Sequence, residues 1–174
     1  MVQWILNKTK AKTEKFFVPL MKVIAPSHLP PAFFTALSFL FGILAVVNVK
    51  RTLLFVIFAA LSLIFDVIDG HLARFLKKES YTGKLLDYFS DRSIEGLLIL
   101  VAPVDILLVI RTFSLFLIHQ LIFLFIEDTA FFGRTLLMIF FAFGLFKEGL
   151  IVVLIGYSLG ILWQVKKKVV RKFS

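Results

Sequence analysis

Residues 53–102, LLFVIFAALSLIFDVIDGHLARFLKKESYTGKLLDYFSDRSIEGLLILVA, open as an apolar run, become acidic and basic in the middle, and close apolar again. Leu53 to Phe65 begins a membrane crossing whose far end, from Asp66 onward, carries carboxylates and small residues before the basic cluster Arg74, Lys77 and Lys78. Gly83 to Ala102 is its mirror, with Asp87, Asp91, Arg92 and Glu95 in the first half and an almost wholly apolar second half. Asp66 and Asp69 are three apart and share a helical face, with Gly70 beside them. Asp87 and Asp91 are four apart on the next helix, with Gly83 one turn before and Glu95 one turn after. The short basic loop around Lys77 to Thr82 sets the two charged ends at one membrane depth, so all four aspartates can converge.

Outward from that stretch, the 174-residue chain is 60% hydrophobic with a mean hydropathy of +0.96, and its apolar residues come in long blocks rather than amphipathic stripes. Such a chain belongs in a bilayer. Further crossings are expected at Ala32 to Val49, Ile106 to Ile126, Ala130 to Phe146 and Leu150 to Val165, each near the roughly 20 residues a bilayer requires. The breaks between them fall at Pro26 to Pro31, Pro103 to Asp105, Glu127 to Thr129 and Lys147 to Gly149. Residues 1–24 mix Trp4, Ile5, Phe16, Phe17, Leu20, Val23 and Ile24 with lysines, as in a helix lying in the membrane interface. Lys8, Lys10, Lys12 and Lys15 interrupt this stretch, which therefore does not read as a cleaved signal peptide. The expected fold is an all-α integral membrane protein: an interfacial amphipathic helix over 1–24, one six-helix transmembrane catalytic domain over 32–165, and a basic cytoplasmic tail over 166–174.

The net charge of +9 is distributed as the positive-inside rule requires. One side collects the N-terminal lysines, Arg74, Lys77, Lys78, Lys84 and the basic tail, and the other receives Lys50, Arg51 and Lys147. The first side is assigned to the cytoplasm, which places the aspartates at the cytoplasmic face of the cell membrane, with Trp4 and Trp163 near the same interface. Basic residues just outside apolar spans are accounted for by anionic lipid head groups, so nucleic acid is not the expected partner. Cysteine is absent, which removes disulfides, thiolate ligands and cysteine nucleophiles.

Carboxylates at the hydrocarbon edge are costly, about 2.5–3.5 kcal/mol each at mid-helix on insertion scales, so cations must accompany them. Arg74, Arg92 and Lys84 supply some positive charge, but an all-oxygen set suits hard divalent ions such as Mg²⁺ or Mn²⁺. Paired ions of that kind bridge diphosphates and neutralise a leaving phosphate, which points to phosphoryl transfer.

The pattern Asp66-x-x-Asp69-Gly70-x-x-Ala73-Arg74, eight residues, Gly83-x-x-x-Asp87-x-x-x-Asp91 resembles the signature of the CDP-alcohol phosphatidyltransferase family at every defined position. Eight fixed positions at about one in twenty each make a chance match on the order of 10⁻¹⁰ per start site. The resemblance implies two metal ions held by Asp66, Asp69, Asp87 and Asp91, with Asp91 also taking the acceptor hydroxyl's proton. It implies that Asp66, Asp69, Gly70, Ala73, Arg74 and Gly83 bind the CDP group of a lipid donor, either CDP-diacylglycerol or an archaeal ether analogue. Gly and Ala let a nucleotide approach the backbone, and Arg74 can pair with phosphate through its planar fork. It further implies a small polar alcohol phosphate as acceptor and the release of CMP, and similar enzymes are homodimers.

Asp91-Arg92-x-x-Glu95 resembles the members that accept inositol phosphate, with glycerol phosphate or another alcohol as the alternative. Arg92 and Arg134 are the candidate contacts for the acceptor phosphate. The other reading of Arg92 is an ion pair that holds Asp91, and that of Arg134 is snorkelling to the interface. His119 and Gln120, deep in the fourth crossing, read as inter-helix hydrogen-bonding groups, since no second histidine stands at ligand spacing. Gly156-x-x-x-Gly160 allows close helix packing within one subunit or between two. The contrasting class is a carboxylate-lined cation transporter, which leaves Gly70, Ala73, Arg74 and Gly83 without a role.

Overall fold

A computed structural model describes residues 17–25, 29–78, 80–126 and 133–173. All of the regular structure among them is helical. A helix over residues 17–24 (α1) is followed by α2 (Pro31–Val47), α3 (Thr52–Phe75), α4 (Tyr81–Val101), α5 (Ile106–Ile126), α6 (Gly133–Ala142) and α7 (Phe146–Phe173). Residues 1–16 of the expected interfacial helix, residues 26–28 of the expected break after it, and the expected link Glu127 to Thr129 with the start of the fifth crossing lie outside the described residues.

Local chemistry sets the helix ends near the aspartates. Pro31 opens α2 with its ring at the first helical position, where no amide hydrogen is needed. The α3 terminus is closed by two reversed bonds, from Lys78 N–H to the Ala73 carbonyl at 2.9 Å and from Lys77 N–H to the Arg74 carbonyl at 3.0 Å. Lys77 takes the left-handed conformation (φ 53°) that this closure needs and that usually falls to glycine. Ser80 then caps α4, its Oγ accepting from the Gly83 N–H at 3.0 Å. A short, tightly closed connection thus holds the acidic end of α3 beside the acidic start of α4.

α2 and α3 form a hairpin bolted by a reciprocal pair: Ser38 Oγ donates to the Ser62 carbonyl at 2.9 Å, and Ser62 Oγ donates to the Ser38 carbonyl at 2.7 Å. α4 crosses against them, and a side chain at Gly42 would overlap that of Ile94. The main core joins Phe55 and Ala59 of α3, Ile94 and Leu98 of α4, Phe141 of α6 and Tyr157 of α7. A smaller cluster of Met21, Phe34 and Leu72 seats α1 on the site-bearing end of α3.

Among the described residues two helices, Thr52–Phe75 and Phe146–Gln164, are long and apolar enough to cross a bilayer. α2, with 17 residues, is shorter, and the ten residues of α6 rise only about 15 Å. Six crossings are not established by these lengths. The last connection also differs from the sequence reading. The turn expected at Lys147 to Gly149 lies instead at Phe143 to Leu145, where Gly144 adopts φ 72° and its N–H donates to the Phe141 carbonyl at 3.0 Å. Glycine is the residue that most readily takes this conformation, so it stops α6, and Lys147 and Glu148 fall in the first turn of α7. With no proline or glycine after Gly160, α7 runs through the basic residues to Phe173.

Candidate active site

The last turns of α3 and the first turns of α4 bring oxygens of Asp66, Asp87 and Asp91 within 4.8 Å of one another, each on a half-buried residue. Asp69 lies one turn further along α3 and is outside this trio. It is 6% exposed, and its Oδ2 is buried with no hydrogen-bond partner among the described residues. A buried carboxylate oxygen left without a donor is unfavourable unless a cation serves it. Three converging carboxylates and a fourth beside them form an all-oxygen donor set of the kind that hard divalent ions prefer. By chemistry and spacing these residues fit such a metal.

Asp69 and Asp87 also line a cleft of about 380 Å³ between the ends of α2, α3 and α4. Gly70, Ala73, Arg74 and Gly83 line it too, and Lys78 and Lys84 add positive charge. At Gly70 a side chain would meet nothing closer than the Arg74 guanidinium, 3.8 Å away, so the backbone there is open to an approaching group. Gly83 has a second constraint: an added Cβ would come within 3.0 Å of Ser80 Oγ, the cap of α4. Asp66 does not line this cleft; it faces the trio.

Arg134 enters the carboxylate group from α6. It is 3% exposed, its Nη1 donates to Asp91 Oδ1 and, at 3.4 Å, to Asp66 Oδ1, and its Nη2 donates to Ser38 Oγ at 3.1 Å and Ser62 Oγ at 3.0 Å. The guanidinium is therefore buried among the aspartates rather than snorkelling to an interface. Arg92, the other candidate for the acceptor phosphate, is not brought into the trio. Its Nη1 pairs with Glu95 Oε2 at 2.5 Å, and it borders a separate groove with Gly96, Phe113 and Phe116.

Glu95, fully buried, also accepts from the Tyr157 hydroxyl. Gly133, the first residue of α6, packs so close that any side chain there would overlap the Glu95 carboxylate. This contact sets where Arg134 enters. His119 is buried against Tyr157, with ring centroids 5.3 Å apart, and Gln120 Oε1 accepts from the Tyr88 hydroxyl at 2.5 Å. Both are inter-helix groups, and neither approaches the trio. Gly160 packs on His119 of the same chain, 3.2 Å from Nε2 to an added Cβ.

Sequence reasoning missed Ser38 and Ser62 as site residues. Their signal was present: each is a hydroxyl within an otherwise apolar run, and such groups tend to find a partner on a neighbouring helix.

A family model described as CDP-alcohol phosphatidyltransferase matches residues 28–155, from just before α2 into α7. No curated protein and no solved structure matches the chain.

Proposed function

Since the chain belongs to the CDP-alcohol phosphatidyltransferase family and is thereby a transferase that uses a CDP-alcohol donor, we propose that it moves a phosphatidyl-type group from a CDP-linked lipid to inositol phosphate. The donor is CDP-diacylglycerol or its archaeal ether analogue, and CMP is released. The observation that carries this reading is the meeting of Asp66, Asp87 and Asp91 beside a cleft lined by Asp69, Gly70, Ala73, Arg74 and Gly83.

Asp66, Asp69, Asp87 and Asp91 would hold Mg²⁺ or Mn²⁺, two ions per site, which when bound would neutralise charge on the diphosphate and on the departing CMP. The protein's own groups do the rest. Gly70, Ala73 and Gly83 admit the nucleotide to the backbone, and Arg74 pairs with the diphosphate through its fork. Asp91 takes the proton of the acceptor hydroxyl as that oxygen bonds to the lipid-side phosphorus and the bond from phosphorus to the CMP oxygen breaks. Arg134, in contact with Asp91, would meet a phosphate on the same acceptor, whereas Arg92, next to Asp91 in the chain, pairs with Glu95 instead. The six crossings, a cytoplasmic active site in the cell membrane and a homodimeric assembly complete the reading.

CMP release tests it. Purified protein given CDP-diacylglycerol and Mn²⁺ is expected to release CMP with an alcohol phosphate present, fastest with inositol phosphate in a panel that includes glycerol phosphate. A preference for glycerol phosphate would reassign the acceptor. The absence of CMP with every acceptor and with the ether-linked donor would remove the transferase reading.

A further inference from the structure

We propose that Arg134 is a built-in counter-cation of the carboxylate group, competing with a divalent ion for Asp91 and Asp66. The inference rests on the metal assignment proposed above and concerns a residue outside the signature.

The guanidinium is deeply buried and divides its donors between two kinds of partner. Nη1 lies on the carboxylates of Asp91 and Asp66, and Nη2 lies on the hydroxyls of Ser38 and Ser62. Each serine hydroxyl spends its own proton on the other serine's backbone carbonyl, which leaves its lone pairs to accept from Arg134. The serines are thus a neutral seat fixed by the α2–α3 hairpin, whereas the aspartates are the part of the site an ion would claim. An arginine keeps its charge under all ordinary conditions, so this positive group cannot leave by losing a proton.

Without an ion, Arg134 relieves repulsion among three carboxylates held within 4.8 Å. An ion entering that group must share Asp91 and Asp66 with the guanidinium or displace it. Released Nη1 donors remain tethered beside Asp91 through Nη2 and can then receive an acceptor phosphate. Arg134 in this way links ion occupancy to the acceptor site, and Asp91 is freed from its ion pair at the same step.

The test is Mn²⁺ binding to full-length protein in detergent without substrate, read from the electron paramagnetic resonance of free Mn²⁺, with thermal unfolding in parallel. R134Q is expected to bind Mn²⁺ on the order of tenfold more tightly than the unsubstituted protein, because a unit charge in contact with two ligands is gone. Its unfolding temperature falls in the absence of Mn²⁺ and rises on Mn²⁺ addition by more than that of the parent. Folded R134Q with unchanged or weaker Mn²⁺ affinity would overturn the proposal. If R134Q does not fold even with Mn²⁺, R134K decides. Its single ammonium cannot reach both serines and both carboxylates, so a severalfold gain in affinity supports the competition, and no gain overturns it. A parent protein that binds no Mn²⁺ would sink the metal assignment itself, a result distinct from either of these.

Discussion

Replacing Asp91 by Asn is expected to cut the rate of CMP release on the order of 10³-fold or more while the helical fold persists. Two losses combine. An amide cannot take the acceptor proton, and a positioned general base contributes about 10²–10⁴-fold. The neutral side chain also weakens one corner of the trio with Asp66 and Asp87. The fold survives because Arg134 keeps Asp66, Ser38 and Ser62 as partners, and because the core through Phe55, Ile94 and Phe141 does not involve Asp91. CMP release and circular dichroism in the same detergent are the measurements. Full turnover by Asp91→Asn would exclude this residue as the base.

The second large effect is expected at a residue with no chemistry of its own. Gly133→Val places methyl groups where the Glu95 carboxylate lies, and even a Cβ alone comes within 3.1 Å of the Tyr157 hydroxyl. Glu95 cannot easily yield, since it is fully buried and held by Arg92 and Tyr157. The start of α6 must move away from α4, and Arg134, the next residue, moves with it. Overpacking of this kind costs roughly 1–3 kcal/mol, and each kcal/mol lowers Tm by about 2–4 °C in a chain of this size. Thermal unfolding and CMP release should fall together, because the displaced guanidinium leaves Asp91 and Asp66. A variant with parental Tm and rate would show that α6 does not rest on Glu95.

The parts of this protein that were legible in its sequence are those encoded by short-range spacing. Asp66 with Asp69, and Asp87 with Asp91, share helical faces because of the helical repeat, and the basic loop between them is too short to separate the two ends. The same spacing did not separate Asp69 from the trio, since which carboxylates meet depends on how α3 and α4 pack against each other, not on periodicity. The partners of Arg134 were hidden for a related reason. Asp91 and Asp66 lie 43 and 68 residues away, and contacts at that range leave no local pattern. Arg92 shows that short range is not enough: the sequence reading offered an ion pair with Asp91, its chain neighbour, whereas the guanidinium turns to Glu95 three residues on. At the last turn the signal existed but was outweighed by charge. Gly144 stands where a helix closes in the left-handed conformation, whereas Lys147 and Glu148 drew attention to a position that proved to be inside α7.

If carboxylates from α3 and α4 share divalent ions, anomalous diffraction from crystals grown with Mn²⁺ reveals it without reference to turnover. Manganese peaks are expected in contact with oxygens of Asp66, Asp87 and Asp91, with a further peak or shared ligand at Asp69 and the Arg134 guanidinium drawn back toward Ser38 and Ser62. Crystals of active protein with no manganese among these aspartates, and with Arg134 still paired to Asp91, would contradict that sharing.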